Sequence, residues 1–230
     1  MEYLFLFISS NGMDMLTPDC FFDLSNFLHK ELFLLDRPVW ESLIGLKNYL
    51  HSLDLGNIQC NIPNSVTLVH PELISIEEGT VIEPGAYIEG PCHIGKDSQV
   101  RQGAYVRPFV LTGERCVIGH ASEIKHALFL NGAQAPHFNY VGDSILGSNT
   151  NLGAGVICAN YRIDHKDVVV EVDGELYETG MRKFGTVLGD RSQIGCNSVI
   201  NPGVLLRKKT LSRACTSIQK SNLRKVNVVN

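Results

Sequence analysis

The stretch that decides the fold reads Ile76-Glu77-Glu78-Gly79-Thr80-Val81, Ile82-Glu83-Pro84-Gly85-Ala86-Tyr87, Ile88-Glu89-Gly90-Pro91-Cys92-His93, Ile94-Gly95-Lys96-Asp97-Ser98-Gln99, then Val100 and Val106. An isoleucine or valine returns at every sixth position. A helix would place apolar residues at steps of three and four, and a half-buried strand at steps of two. The hexapeptide period fits a left-handed parallel β-helix, an all-β coil whose short sides each take one repeat, with the aliphatic residue turned inward. The phase passes a polar slip at Thr112 and runs on through Ile118, Ile124 and Leu130. It returns at Leu146 and Leu152, and again at Leu188, Ile194, Ile200 and Leu206.

Working outward, residues 1–65 lack the period and read as a small helical N-terminal cap. Trp40, Leu43, Leu46 and Leu50 fall on one helical face, and Pro38 sits near a helix start. Repeat arrays need capped ends, so these helices are expected over the first coil. Coils are expected over 66–206, about six of them by the repeat length. Two interruptions are visible. Between Pro136 and Leu146 the phase shifts by four residues, which predicts a short bulging loop. From about 162 to 183, Val168-Val169-Val170-Glu171-Val172, Asp173-Gly174 and Glu175-Leu176-Tyr177 read as an inserted β-hairpin with a tight turn. Residues 207–230 form a basic tail with Arg207, Lys208, Lys209, Arg213, Lys220, Arg224 and Lys225 and no acidic residue.

With 230 residues the chain has room for one domain, or one and a small second. A formal net charge of −4 argues against general affinity for nucleic acid. Seven cysteines, without a C-x-x-C pair, read as reduced thiols in the cytoplasm. The apolar run at residues 3–8 is too short for a bilayer span and lacks a preceding basic residue, so neither membrane nor signal peptide is expected.

Chemistry concentrates in and beside the interruptions. Arg107 and Lys125 are fixed cations suited to a phosphate. His137 is suited to proton transfer near neutral pH. Tyr140, Asn151, Asn160 and Lys183 lie in the same region.

Taken in order, Val106-Arg107-Pro108, Glu123-Ile124-Lys125, His137-Phe138-Asn139-Tyr140-Val141-Gly142-Asp143, Asn149-Thr150-Asn151-Leu152-Gly153-Ala154-Gly155, Cys158-Ala159-Asn160-Tyr161 and Lys183-Phe184-Gly185 resemble the C-terminal acetyltransferase domain of bacterial N-acetylglucosamine-1-phosphate uridyltransferase. The resemblance covers about residues 66–206. It implies a homotrimer of left-handed β-helices, with sites between subunits, that moves an acetyl group from acetyl-CoA to the amine of glucosamine 1-phosphate for UDP-N-acetylglucosamine and cell-wall synthesis. On it, His137 is the general base and the Ala154 N–H faces the oxyanion. Arg107 and Lys125 hold the sugar phosphate, and Tyr140, Asn151 and Lys183 position the sugar. Asn160, Tyr161 and Cys196 lie on the acetyl-CoA side. No metal is implied. The chain departs from the common form in the inserted hairpin, in Cys196 replacing a serine, and in His126 where a second lysine is frequent. The uridyltransferase half is expected to be absent, leaving that step to a separate enzyme.

Three rivals are set against this reading. One is another sugar acyltransferase of the same fold. Another is a zinc hydrolyase using His120, His126 and His137. The last is a sugar-phosphate-binding trimer without turnover.

Overall fold

The computed structural model describes residues 15–221, Leu223 and the short strand Val228–Val229. The apolar run at 3–8 and the basic residues Arg224 and Lys225 lie outside the described residues. The chain winds into a left-handed parallel β-helix with one sheet per side. The described residues give an eight-stranded first sheet from Thr67–Val69 to Ser217–Ile218, and a seven-stranded second sheet from Ile74–Ile76 to Val204–Leu206. The third sheet has eight strands, from Val81–Ile82 to Leu211–Ser212 and Val228–Val229.

Inside the coil, Ile76, Ile82, Ile88, Ile94, Val100, Val106, Ile118 and Ile124 are buried in an inner column of three stacks, one per sheet, as the period requires. The column does not stop at Leu206, and there are more than six coils. Leu211–Ser212 and Ser217–Ile218 continue the ladder, with Ile218 buried inside. Ser212, a polar residue in an aliphatic slot, hid this continuation, and part of the expected basic tail is coil.

The phase shift after Pro136 is not a bulge. Tyr105 pairs with Glu123, eighteen residues on, but Glu123 pairs with Tyr140 and Tyr140 with Ile157, each seventeen on. Two corners are therefore each one residue short. They lie at His126 and Asp143, both with positive φ (45° and 48°). A one-residue loss moves the following side chains to the other face. Phe129, not Leu130, consequently enters the inner column, between Thr112 and Leu146. Leu130 is buried on the outside.

The helices also lie elsewhere than expected. Helices α1 (Pro18–Phe21) and α2 (Glu41–Ser52) do not close the first coil. They cover the outer face of the second sheet. The outward row there is Ser75, His93, Leu111, Leu128, Ile145, Val187 and Leu205. Its apolar members are buried against Phe21, Phe33, Leu43, Leu46 and Leu50. A sheet apolar on both faces must be covered on both, and each large side chain buried here contributes about 1.5–3 kcal/mol. The hairpin completes the cover. Its strands Val169–Val172 and Glu175–Glu178 are antiparallel around Asp173-Gly174, and Val168, Val170 and Val172 point into the same cluster. The first coil is closed by the chain leading into it: Ile58, Cys60, Ile62, Val66 and Leu68 pack on the inner column. No helix of the described residues is long and apolar enough to cross a membrane.

Candidate active site

Corners between the third and first sheets stack coil upon coil. His120 pairs in register with His137. The Phe138 N–H donates to His120 O (2.9 Å), the Gly155 N–H to His137 O (3.0 Å) and the Asn197 N–H to Ala154 O (2.8 Å). These bonds build one column, His120, His137, Ala154 and Cys196, from successive coils. Parallel strands set its members about 4.8 Å apart. Three of the residues singled out in the sequence, His137, Ala154 and Cys196, are thus neighbours. Gly153 permits the stacking, since a Cβ there would lie 2.6 Å from Cys196 N and 2.9 Å from Ile194 O.

Backbone donors in this column differ. The Gln102 N–H, one coil before His120, donates to Glu83 Oε2 (2.8 Å), and the His137 N–H to Asn139 Oδ1 (3.0 Å). Among the described residues the Ala154 N–H has no acceptor, which leaves it available to a developing negative charge. The His137 ring is exposed and makes no hydrogen bond among the described residues.

On the adjoining first sheet lies an ionic network. Arg107 Nη1 donates to Glu123 Oε1 (2.9 Å), and Lys125 Nζ to Asp143 Oδ2 (3.2 Å). Asn160 Nδ2 donates to Tyr140 Oη (3.2 Å) and also to Asp143 Oδ2. Asp143, at the second short corner, is the hub. Burial pushes its carboxyl up, but the His126 hydrogen bond and the Lys125 charge outweigh this and hold it below the ordinary carboxylate range. The hydrogen bond with Glu123 raises Arg107, and burial raises the Tyr140 phenol. Gly142 makes room for the network: a Cβ would lie 2.5 Å from Asn160 Nδ2.

His126 ties this network to the helical layer. Its Nδ1 lies 2.8 Å from Asp143 Oδ1 and its Nε2 3.1 Å from Leu43 O on α2. Both nitrogens are thus engaged, and the three histidines of the zinc reading do not converge. Among the described residues no group of three or more His, Cys, Asp or Glu side chains has the geometry for a metal ion.

Not every predicted residue joins these groups. Lys183 Nζ stands over the Tyr161 ring at 5.8 Å, beside Arg182 Cζ at 5.7 Å, and Tyr161 Oη is 2.9 Å from His165 Nδ1. Asn151 lies on the third sheet between Gln134 and Gln193, and its side chain makes no hydrogen bond among the described residues. Asn160, expected toward acetyl-CoA, is buried within the ionic network. Sequence reasoning missed Glu123 and the central place of Asp143. Glu123 stands two residues from Lys125 on one strand, hence on the same face, a signal that was available. A cavity of about 620 Å³ lies between the helical layer and the hairpin, lined by Arg37, Trp40, Ile44 and Leu176 among others. It includes none of the residues above, which line an open surface.

Residues 88–221 match the family described as the GMPPB C-terminal domain, a description that names a domain rather than an activity. A bifunctional sugar-1-phosphate nucleotidylyltransferase/acetyltransferase of Sulfurisphaera tokodaii is 38% identical over 159 residues, 69% of this chain and 38% of its own length. A bifunctional protein GlmU of Methanococcus maripaludis is 36% identical over 172 residues, 75% of this chain and 41% of its own. The chain thus spans about two fifths of the length of these relatives. Among solved structures, PerB of Caulobacter crescentus, in complex with CoA and GDP-perosamine, matches 77% of this chain and 56% of its own at 16% identity. The TM-score is 0.28.

Proposed function

Because the chain belongs to the family of the GMPPB C-terminal domain, and its relatives include proteins named for sugar-1-phosphate nucleotidyl and acetyl transfer, we propose that it transfers an acetyl group from acetyl-CoA to the amine of glucosamine 1-phosphate or a related aminosugar phosphate. The observation that carries this reading is the corner column. It stacks an exposed imidazole, a backbone N–H without an acceptor and Cys196, beside a face bearing Arg107 and Lys125.

In this mechanism Arg107 and Lys125 bind the sugar phosphate. Each already has a carboxylate partner, so a phosphate would replace Glu123 and Asp143 as the anion they face. Tyr140 is held by Asn160 for contact with the sugar ring, with Asn151 and Lys183 toward its edge. His137 takes a proton from the amine as the amine nitrogen attacks the thioester carbonyl. The Ala154 N–H stabilises the oxyanion of the tetrahedral intermediate. Collapse breaks the carbon–sulfur bond and releases CoA as the thiol, with its proton returned from His137. Orientation contributes the rest, since the thioester is already activated.

An open site of this kind is completed by a second copy, and a homotrimer in the cytoplasm is proposed. The product would serve UDP-N-acetylglucosamine synthesis, with uridyl transfer by a separate enzyme or domain. A second reading, sugar-phosphate binding without turnover, has support in the carboxylates that already balance both cations.

The test is thiol release from acetyl-CoA by purified protein with and without glucosamine 1-phosphate. Acceptor-dependent release supports transfer. No release from a folded protein that still binds the sugar phosphate favours the second reading.

A further inference from the structure

Between His137 and Tyr140 lies a residue to which the mechanism above gives no part. Asn139 is 2% exposed, and its side-chain amide faces neither solvent nor the ionic network. Its Oδ1 accepts the His137 N–H at 3.0 Å. Its Nδ2 donates to Gly153 O at 2.8 Å and lies 3.5 Å from Val156 O. Its own N–H donates to Ser122 Oγ at 3.1 Å, and its carbonyl accepts the Glu123 N–H at 2.8 Å. One buried amide therefore grips the turn that carries His137 and, one coil on, the turn that carries Ala154.

The same corner holds Ser122 one coil earlier, Val156 one coil later and Ser198 in the coil after that. Ser122 Oγ donates to Ala135 O (3.2 Å) and Ser198 Oγ to Arg213 O (3.1 Å), each reaching the next coil. Ser122 Oγ also donates to His120 O (3.4 Å), but among the described residues neither serine accepts the N–H of the column residue of its own coil, as Asn139 does. A stacked coil needs only the serine-type bond. Among the described residues, the additional grip on the His137 N–H occurs at the one corner that presents an exposed imidazole beside an unbonded N–H.

We infer that Asn139 is a positioning residue that fixes the His137 imidazole relative to the Ala154 N–H. The inference rests on the acetyl-transfer reading for its catalytic consequence, while the clamp itself stands on the hydrogen bonds. A base and an oxyanion donor act on one tetrahedral centre, so an error of about 1 Å between them costs rate without weakening substrate binding. Asn139 touches neither substrate in this scheme.

Asn139→Ser is the informative variant, since serine already serves this corner at Ser122 and Ser198 and permits folding. It retains a bond to the next coil and loses the bond from His137. The expected result is a kcat lower by roughly tenfold or more, with KM for both substrates within about twofold. The pH midpoint of the rate should not move. Amide exchange at His137 should quicken by about tenfold or more, because the buried acceptor of its N–H is gone. A kcat within twofold of wild type despite faster exchange would overturn the positioning role. Unchanged exchange at His137 would overturn the clamp itself. If wild-type protein releases no thiol under any condition, the acetyl-transfer reading fails and with it the positioning role, while exchange in Asn139→Ser still decides whether the clamp exists.

Discussion

The second sheet and the other two are built from the same repeat but meet different surroundings. On the second, the outward row from Leu111 to Leu205 is apolar and fully buried under helices and hairpin. On the first and third, outward positions are mixed: Tyr105, Glu123, Tyr140 and Ile157 on one, Gln99, Val117, Gln134, Asn151 and Gln193 on the other. They have no such cover. The candidate chemistry lies on these bare faces and the corner between them. The comparison teaches a division of labour, in which one side anchors the coil and two remain open to ligands or to other copies.

Predictions can break this division. The largest effect is expected at the bare corner. His137→Ala should lower kcat by a hundredfold or more, the usual scale for a general base. His120→Ala, at the same corner one coil earlier, should leave kcat within twofold. Equal losses in steady-state kinetics would mean that the whole corner, not the base, is at work.

On the covered side, Leu128→Ala should cost about 2–5 kcal/mol of stability, because the cavity left under the helices cannot fully collapse. Gln134→Ala on the bare third sheet should change stability by less than about 0.5 kcal/mol. Chemical denaturation of both variants measures the contrast. A similar cost for each would remove it.

Attachment of the cover should depend on pH. His29 from the helical layer packs its ring 4.8 Å from that of His93 on the second sheet, and both are buried. Burial, then the nearby His93, pushes His29 down to about 4. Its folded pKa lies below its unfolded value, so below pH ~6.5 the unfolded chain takes up a proton that the folded one refuses. The stability is complete above that pH and declines toward pH 4, by roughly 3 kcal/mol at most. His93 is also pushed down by burial, and its Nδ1 has no hydrogen-bond partner among the described residues. Thermal melts from pH 7 to 4.5 should therefore fall more steeply for wild type than for His29→Leu; parallel curves would refute the account.

The smallest effect concerns the phosphate face. Lys125→Ala should raise KM for the sugar phosphate about tenfold with a lesser change in kcat, the loss of one charge-assisted bond. Arg101→Ala, removing an arginine side chain that bonds Gln99 in a regular coil, should leave KM unchanged. A KM insensitive to Lys125 would take that residue out of the phosphate site.

Much of this was legible in the residues. The hexapeptide period places Ile76 through Ile124 in the inner column, Asp173-Gly174 marks the hairpin turn, and the spacing of Leu43, Leu46 and Leu50 marks the helix. Legibility failed where a single residue was lost. With corners one residue short at His126 and Asp143, the apparent phase carried Leu130 inward when Phe129 occupies that place, and two small losses looked like one loop. The paired apolar residues Val110-Leu111, Leu128-Phe129, Ile145-Leu146, Val187-Leu188 and Leu205-Leu206 signalled a sheet buried on both faces. The need of repeat arrays for caps predicts helices at the coil end, yet the end is closed by Ile58 and its neighbours.

By itself, then, the sequence determined the coil, because inward packing repeats locally every six residues and needs no knowledge of distant partners. It also marked His137, Lys125 and Arg107 by residue type. Only the tertiary structure decided which face α2 covers, since an apolar helix face states a need for burial but not its partner. Only stacking brought His137, Ala154 and Cys196 into one column and made Asp143 a hub. Those contacts join residues seventeen or more apart, and their register depends on the length of each corner.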